Sequence, residues 1–194
     1  MNENPKIAAF LDRDGTVIED VPYNSNPETV YMIPNSAAAI RLLGEAGIVV
    51  VITTNQSGIG RGYYTEKEFQ AVNSRMIELL DEEGARLDAV YHCPHLPAEL
   101  LPPGREPCKC RKPEQGMIER ACVELGVDPG RSFFFGDRLS DVELAVRAGG
   151  RAFLVRTGHG MNEVGIVQRM TGVTIVDDLF TGVSEILSAA DKDK

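Results

Sequence analysis

Two aspartates, Asp12 and Asp14, are separated by one residue in the run Asp-Arg-Asp-Gly-Thr. They directly follow the apolar run Ile7–Leu11, which predicts a buried strand, so both carboxylates are expected at a strand end. There, Asp12 can attack a phosphorus atom as a nucleophile, while Asp14 can protonate the leaving alcohol and then deprotonate water. Taken alone, the pair is equally compatible with a polar turn that begins a calcium loop. The residues from Thr16 to Asp20, however, do not continue the EF-hand ligand pattern.

Groups suited to holding phosphate follow the second predicted strand and a later loop. Thr54 lies in Thr-Thr-Asn-Gln-Ser-Gly after the β-branched run Val49–Thr53, where a hydroxyl and free backbone N–H groups predict a neutral cradle for phosphate oxygens. Lys112 would neutralise a transferring phosphoryl group as a point charge, and Arg111 beside it can bind an oxyanion through two donors. Alone, the first segment is typical of a simple turn and the second of a solvated basic pair.

Two more carboxylates, Asp137 and Asp141, follow the predicted strand Ser132–Phe135. Asp137 at the strand end is a hard oxygen ligand suited to Mg²⁺. Asp141, a turn later, could hold a coordinated water or a neighbouring lysine, and it is also typical of an acidic residue at a helix N-terminus. Four such segments in this order, each at a predicted strand end, favour one shared site.

Strands and amphipathic helices alternate along the chain. Further strands are predicted at Ala89–Tyr91, Ala152–Val155 and Thr174–Val176. Helices are predicted from Asn35 as N-cap to Ala46, from a Thr65 capping box to Gly84, and at Gly116–Leu125, Ser140–Ala148 and Leu179–Ala189. The alternation predicts an α/β fold with a Rossmann-like, mainly parallel sheet and helices on both faces. We expect one domain over residues 1–190 and a frayed tail at 191–194.

Composition and charge disfavour several classes of partner. The 194 residues include 20 basic and 29 acidic ones, a net charge of −9, which disfavours nucleic acid and anionic membranes. No apolar run is long enough to span a bilayer, and the first fifteen residues lack the basic region of a secretory signal. We therefore expect a cytoplasmic monomer that acts on a small molecule. An anionic substrate fits this charge where a metal ion and a few Lys or Arg residues supply local positive charge.

The irregular segment His92–Pro113 predicts a structural zinc site. Cys-Pro-His and Cys-Lys-Cys are separated by twelve residues, and in extended chain residues i and i+2 point the same way, so each pair can face one ion. His92 would point away from its neighbour Cys93. The four predicted ligands are Cys93, His95, Cys108 and Cys110. Zinc would also explain how so long a loop stays ordered.

The four strand-end segments together resemble the motif set of the haloacid dehalogenase superfamily over essentially the whole chain. The resemblance implies Asp12 as nucleophile, Asp14 as acid and base, and Mg²⁺ held by Asp12, Asp137 and the Asp14 carbonyl. It also implies that Thr54 and Lys112 contact the phosphoryl group. Phosphotransfer is implied because the dehalogenase branch lacks the second aspartate. The short stretch between Asp14 and Thr54 implies a member without a cap domain.

The zinc loop narrows the resemblance. Cys-Pro-His and Cys-x-Cys-Arg-Lys-Pro, with Thr-Asn-Gln-Ser-Gly-Ile-x-Arg-Gly before them, are similar to the D-glycero-D-manno-heptose 1,7-bisphosphate phosphatases. This implies hydrolysis of the 7-phosphate to heptose 1-phosphate, on the route to nucleotide-activated heptose and lipopolysaccharide. The residues that would line or contact the substrate are Asp20, Val21, Pro22, Tyr23, Asn55, Gln56, Ser57, Arg61, Arg111 and Arg138.

Two other interpretations stay open on the sequence. Histidinol-phosphate phosphatases share the zinc loop, and Glu19 or Asp20 would suit the amine of that substrate. From another class, a non-catalytic zinc module that binds nucleic acid is a second alternative. The negative charge and the lack of a basic or aromatic stripe argue against it.

Overall fold

Six parallel strands form the centre of the molecule. The computed structural model describes residues 5–192. The strands are β1 (Ala8–Leu11), β2 (Val49–Asn55), β3 (Ala89–Cys93), β4 (Phe133–Gly136), β5 (Arg151–Val155) and β6 (Val173–Val176). Their order is β3-β2-β1-β4-β5-β6, and every neighbouring pair is parallel. The predicted α/β class with a Rossmann-like sheet is confirmed.

Helices cover both faces of this sheet. They are α1 (Ser36–Glu45), α2 (Ser57–Gly60), α3 (Glu66–Glu82), α4 (Gly116–Leu125), α5 (Leu139–Ala148), α6 (Gly160–Val167) and α7 (Leu179–Lys192). The apolar stripes of α1, α3 and α7 share one core, and those of α4, α5 and α6 share another. Within β1, Ala9 and Leu11 belong to the first core while Ala8 and Phe10 belong to the second. A strand buried on both faces is therefore apolar at every position.

The helix ends confirm the predicted capping box and the N-cap position of Asn35, but Asn35 provides no side-chain cap. Thr65 and Glu68 form the predicted capping box at the start of α3, and Gly126 and Gly149 end α4 and α5 in the left-handed conformation. Asn35 precedes α1, but its φ of 63° is left-handed and its side chain makes no capping hydrogen bond. An N-cap side chain reaches the first turn from extended backbone, which Asn35 does not have.

Several boundaries differ from the sequence prediction. The one-turn helix α2 and the helix α6 were not predicted, because neither has a long apolar stripe. The strand β3 continues to Cys93, so the irregular segment begins two residues later than expected. The helix α7 continues from the predicted end at Ala189 to Lys192, and residues 193–194 of the predicted tail lie outside the described part.

The strand order places a ligand site where the connections reverse direction. From β1 the chain moves outward through β2 and β3, then returns to pair β4 with β1 and moves outward on the other side. Loops after β1 and β4 therefore leave the same edge in opposite directions and open a crevice between them. The β1–β2 connection contains α1 and a short 3₁₀ turn but no inserted domain, which confirms the expected capless architecture. Among the described helices, none combines the length and apolar character needed to cross a bilayer.

Candidate active site

The centre of the crevice is an ion pair between Asp12 and Lys112. Asp12 follows β1 directly, and Lys112 arrives from the loop that precedes α4. The Lys112 Nζ donates to Asp12 Oδ1 at 2.6 Å and to the Thr53 carbonyl at 2.7 Å, and it lies 2.6 Å from Asp141 Oδ1. Lys112 is only 4% exposed and Asp12 8% exposed. A residue 100 positions away in sequence thus supplies the positive charge beside the predicted nucleophile.

Three carboxylates crowd around this single lysine. Burial raises the pKa of Asp12 well above its usual range, and the charges of Asp141 and Asp137 add to the rise while Lys112 opposes it. Burial likewise raises the pKa of Asp137 to about 6, against a hydrogen bond from the His159 backbone N–H. Burial alone would lower the pKa of Lys112, but Asp12 and Asp141 outweigh it and raise that pKa. The cluster has an excess of negative charge that a cation would offset.

The same cluster fits a divalent metal ion. Carboxylate oxygens of Asp12, Asp137 and Asp141 lie within 4.8 Å of one another. The Oδ1 of Asp137 is buried and accepts no hydrogen bond from any described residue, which leaves it available as a ligand. Gly15 and Gly158 approach the other oxygen so closely that a Cβ at either position would lie 2.3 Å from it. Hard oxygen donors of this kind suit Mg²⁺.

Asp141 and Asp14 have other partners than this cluster. Asp141 accepts from the backbone N–H of Arg138 at 3.1 Å while its other oxygen faces Lys112, which matches the predicted contact with a neighbouring lysine. The Asp14 carboxylate accepts from Gln56 Nε2 at 2.8 Å and from the Arg13 guanidinium at 3.0 and 3.1 Å. The Thr54 hydroxyl lies 3.5 Å from Asp14 Oδ2 and accepts from Gln56 Nε2 at 2.7 Å.

Asn55 links β2 to the loop that carries Lys112. Its side-chain amide donates to the Lys112 carbonyl at 3.2 Å, and its oxygen accepts from the Lys112 N–H at 3.0 Å. This two-point contact holds the backbone of Lys112 in place, much as a strand partner would. The side chain of Asn55, predicted to meet substrate, is therefore already engaged with the protein.

An open cleft of about 620 Å³ lies over the cluster. All ten predicted substrate residues line it: Asp20, Val21, Pro22, Tyr23, Asn55, Gln56, Ser57, Arg61, Arg111 and Arg138. Buried nitrogen atoms of Arg61 and Arg111 have no hydrogen-bond partner among the described residues, so both guanidinium groups offer donors to an anion. Arg138, in contrast, lies 3.5 Å from Asp20 Oδ2.

Some cleft residues were not predicted from the sequence. His159 precedes α6, and its Nε2 lies 2.8 Å from Asp20 Oδ2, so it joins the loop after β1 to the opposite side of the cleft. Arg13 contacts Asp14, Tyr64 contacts Gln56, and Glu163 lies on α6; all three line the cleft. The place of His159 in the chain, shortly after the end of β5, could have identified it as a site residue. The sequence after β5 contains no recognisable motif that drew attention to it.

The predicted zinc ligands converge at one point beside the cleft. Cys93 Sγ lies 3.1 Å from Cys110 Sγ and 3.5 Å from Cys108 Sγ, and His95 Nδ1 lies 3.2 Å from Cys110 Sγ. Four ligands about 2.3 Å from a tetrahedral zinc ion would have edges of roughly this length. His92 is directed away, with its Nε2 3.0 Å from Glu66, as expected. Cys122 lies on α4 and packs against the second core.

Comparisons with known proteins agree with this geometry. Residues 109–180 match a family model described as "HAD-hyrolase-like". The D-glycero-alpha-D-manno-heptose-1,7-bisphosphate 7-phosphatase of Photorhabdus laumondii is 38% identical over 84% of this chain and 90% of its own. The D-glycero-beta-D-manno-heptose-1,7-bisphosphate 7-phosphatase of Escherichia coli K12 is 40% identical over 78% and 80%.

The chain belongs to the heptose-1,7-bisphosphate 7-phosphatase family of the haloacid dehalogenase-like hydrolases. A solved member, D,D-heptose 1.7-bisphosphate phosphatase from B. bronchiseptica complexed with magnesium and phosphate, superposes with a TM-score of 0.84 at 32% identity. The match covers 95% of this chain and 99% of that one, so nearly all of both chains superpose. The predicted resemblance to the superfamily and to this family within it is confirmed.

Proposed function

We propose that this chain is a Mg²⁺-dependent phosphatase that hydrolyses the 7-phosphate of D-glycero-D-manno-heptose 1,7-bisphosphate to heptose 1-phosphate. The observation that carries the proposal is the buried contact between Asp12 and Lys112 at the floor of the cleft, 2.6 Å long. A buried carboxylate that lies beside one ammonium group and beside carboxylates able to bind a metal ion suits attack on a phosphate monoester. The names of the relatives support the heptose 1,7-bisphosphate substrate, in the alpha anomer for one relative and the beta anomer for the other.

In the first step, an oxygen of Asp12 attacks the phosphorus and the bond from phosphorus to the C7 oxygen breaks. Asp14 gives its proton to that oxygen, and heptose 1-phosphate leaves. The phosphoryl group stays on Asp12 as an acyl phosphate. Lys112 offsets the negative charge of the attacking carboxylate and of the phosphoryl oxygens, and the Thr54 hydroxyl is placed to contact those oxygens.

In the second step, water attacks the phosphorus of the aspartyl phosphate. Asp14, now ionised, accepts a proton from this water, and the phosphorus–oxygen bond to Asp12 breaks to release inorganic phosphate. Asp12 returns to its carboxylate form. Mg²⁺ held by Asp12, Asp137 and the Asp14 carbonyl would supply Lewis-acid stabilisation of the charged phosphoryl oxygens.

The zinc loop has a structural role in this proposal. The four ligands Cys93, His95, Cys108 and Cys110 leave no open position, which is typical of structural zinc. Cys110 precedes Arg111 and Lys112 directly, so the ordered loop sets the path of both residues into the cleft. Zinc here would order the active-site loop without entering the reaction.

The free guanidinium groups favour a bisphosphate over a monophosphate. Lys112 and a metal ion would serve the transferring group, whereas Arg61 and Arg111 each hold in the same cleft a buried nitrogen with no hydrogen-bond partner among residues 5–192. A second phosphate at a distance from the first would use these donors. Histidinol phosphate has one phosphate and a cationic amine, which the arginines would repel.

A nucleic-acid module is disfavoured by the net charge of −9. The cytoplasmic location and the monomeric state stay predictions.

Substrate preference tests this assignment. We expect kcat/KM for heptose 1,7-bisphosphate to exceed that for histidinol phosphate by ~10²-fold or more, about 2.7 kcal/mol of differential transition-state binding. Phosphate release measured on a panel of sugar and amino-alcohol phosphates provides the comparison. Equal or faster turnover of histidinol phosphate would assign the chain to that reaction and leave the mechanism unchanged.

A matched pair of arginine variants tests the second phosphate. Arg61→Gln should lower kcat/KM for the bisphosphate more than for heptose 7-phosphate. Only the bisphosphate has a distal phosphate whose contact with Arg61 the substitution would remove. Arg120→Gln removes an exposed arginine on α4 and should change neither value. An equal loss on both substrates would contradict a distal-phosphate role for Arg61.

Magnesium affinity should depend on pH. The pKa of Asp137 is about 6, and Mg²⁺ binds its ionised form, so affinity should fall as the pH drops through that value. Each proton that Mg²⁺ displaces weakens apparent binding by up to ~10-fold per pH unit below the pKa. Calorimetric titration of the wild type with Mg²⁺ at about pH 7.5 and pH 5 measures this. Affinity that is independent of pH over this range would contradict the prediction that Mg²⁺ displaces a proton from Asp137.

A further inference from the structure

The Asp14 carboxylate is held from two sides, by Arg13 and by Gln56. On one side the Arg13 guanidinium donates to both oxygens of its carboxylate. On the other side Gln56 Nε2 donates to Oδ2 at 2.8 Å. The arrangement leaves the carboxylate few orientations, and each holding residue is itself fixed by a partner on or just before the helix α3.

Arg13 is fixed by Asn73 and Phe69, both on α3. Arg13 is 1% exposed, and its Nη1 donates to Asn73 Oδ1 at 2.8 Å. Asn73 is 4% exposed although its helix is otherwise polar at many positions. The guanidinium carbon lies 5.1 Å from the centre of the Phe69 ring, a cation–π contact. A buried arginine needs hydrogen-bond acceptors, and those of Arg13 are Asn73 and Asp14. Asp14 is also the proposed acid and base of the reaction.

Gln56 is fixed by Tyr64 and Thr54. The Tyr64 hydroxyl donates to Gln56 Oε1, and the amide nitrogen of Gln56 also donates to Thr54 Oγ1 at 2.7 Å. All hydrogen-bonding groups of this amide are therefore used, which sets its orientation and presents one N–H to Asp14. Burial raises the pKa of Tyr64 to about 12, so its hydroxyl stays a donor at any working pH. Gln56 is 5% exposed, and its amide is hydrogen-bonded to Asp14, Thr54 and Tyr64.

From this geometry we infer that Asn73 and Tyr64 are positioning residues that set the orientation of the Asp14 carboxylate, acting through Arg13 and Gln56. The inference rests on the proposed function, in which Asp14 exchanges protons with the leaving group and with water. Proton transfer requires a heavy-atom approach of hydrogen-bond length in one direction. A network that fixes both oxygens of Asp14 supplies that direction before substrate arrives, which lowers the cost of reaching the reactive geometry.

A leaving-group comparison separates positioning from general support of the fold. Departure of a sugar alkoxide needs a proton from Asp14, whereas p-nitrophenolate leaves without one. The kcat/KM value reports the steps up to this departure. A variant that misplaces Asp14 therefore loses activity on an alkyl phosphate selectively, while a variant that merely unfolds part of the protein loses activity on both substrates equally.

The experiment measures kcat/KM of Asn73→Leu and Tyr64→Phe on heptose 1,7-bisphosphate and on p-nitrophenyl phosphate. We expect the ratio of alkyl to aryl activity to fall by ~10-fold or more in Asn73→Leu, since misplacement of ~1 Å can cost up to ~10²-fold. Tyr64→Phe should lower the ratio in the same direction. Asn73→Asp keeps an acceptor oxygen for Arg13 and should restore alkyl activity toward the wild-type value, a readout that needs no aryl substrate.

Two control variants match these changes in chemistry. Ser74→Ala alters the exposed neighbour of Asn73 on α3, and Tyr31→Phe removes a hydroxyl from a tyrosine that is 60% exposed. Both should keep the wild-type ratio. An unchanged ratio in Asn73→Leu and Tyr64→Phe, or no rescue by Asn73→Asp, would overturn the inference. Wild-type protein without Asp12-dependent activity on any alkyl phosphate would instead overturn the proposed function.

Discussion

Replacing Asp12 by asparagine should reduce turnover by ~10⁴-fold or more, because the amide cannot form the phosphoryl-enzyme bond that the reaction requires. The fold should persist. Asp12 shares its buried cluster with Asp137 and Asp141, so removing one charge relieves repulsion, and Lys112 keeps the Thr53 carbonyl and Asp141 as partners. Phosphate release and a thermal melting curve measured on one preparation test both statements.

The exposed residue Asp81 on α3 offers a matched control. Asp81→Asn makes the same chemical change away from the cleft and should leave turnover at the wild-type level. Substrate binding to Asp12→Asn, measured by calorimetry, should persist because the arginines and Lys112 are unchanged. Substantial residual phosphatase activity in Asp12→Asn would show that the phosphoryl group is not transferred to this residue.

Removing zinc should produce the largest loss of stability. The purified chain should contain about one zinc ion, and Cys108→Ser should lower the melting temperature by ~10 °C or more, since ~2–4 °C accompanies each kcal/mol in a chain of this size. The reason is the length of the segment from Cys93 to Cys110, which includes only one short 3₁₀ turn. Without the ion, little apolar burial holds it, and three thiols and an imidazole lose their common partner.

Cys122→Ser provides the matched control for this prediction. Cys122 is half-buried on α4 and lies outside the cluster, so its replacement should shift the melting temperature far less and leave the zinc content unchanged. Metal content is measured by mass spectrometry before and after chelation. A melting curve that chelation does not alter would contradict a structural role for zinc. Because Cys110 leads into Arg111 and Lys112, a smaller loss of activity should accompany the loss of zinc.

Local chemistry in the sequence predicted the strand ends correctly. Asp12, Thr54 and Asp137 each follow or end a run of apolar residues, and a parallel sheet brings the carboxyl ends of its strands to one edge. The same logic predicted that Cys93, His95, Cys108 and Cys110 converge, because the residue spacing within each motif determines which way the side chains point. The Asn35 cap failed because a left-handed backbone at one residue has no signal in the neighbouring residue types.

The contacts that hold Asp14 could not be predicted from the sequence. Arg13 and Asn73 are 60 positions apart, and nothing in an isolated α3 distinguishes a buried asparagine from a solvent-exposed one. The pairing of His159 with Asp20 likewise depends on how α6 and the loop after β1 approach across the cleft. Residue types and short spacings determined the chemistry available to this chain, since these follow from local geometry. Only the tertiary structure decided which groups contact Asp14 and which groups meet across the cleft, because such contacts depend on the packing of distant elements.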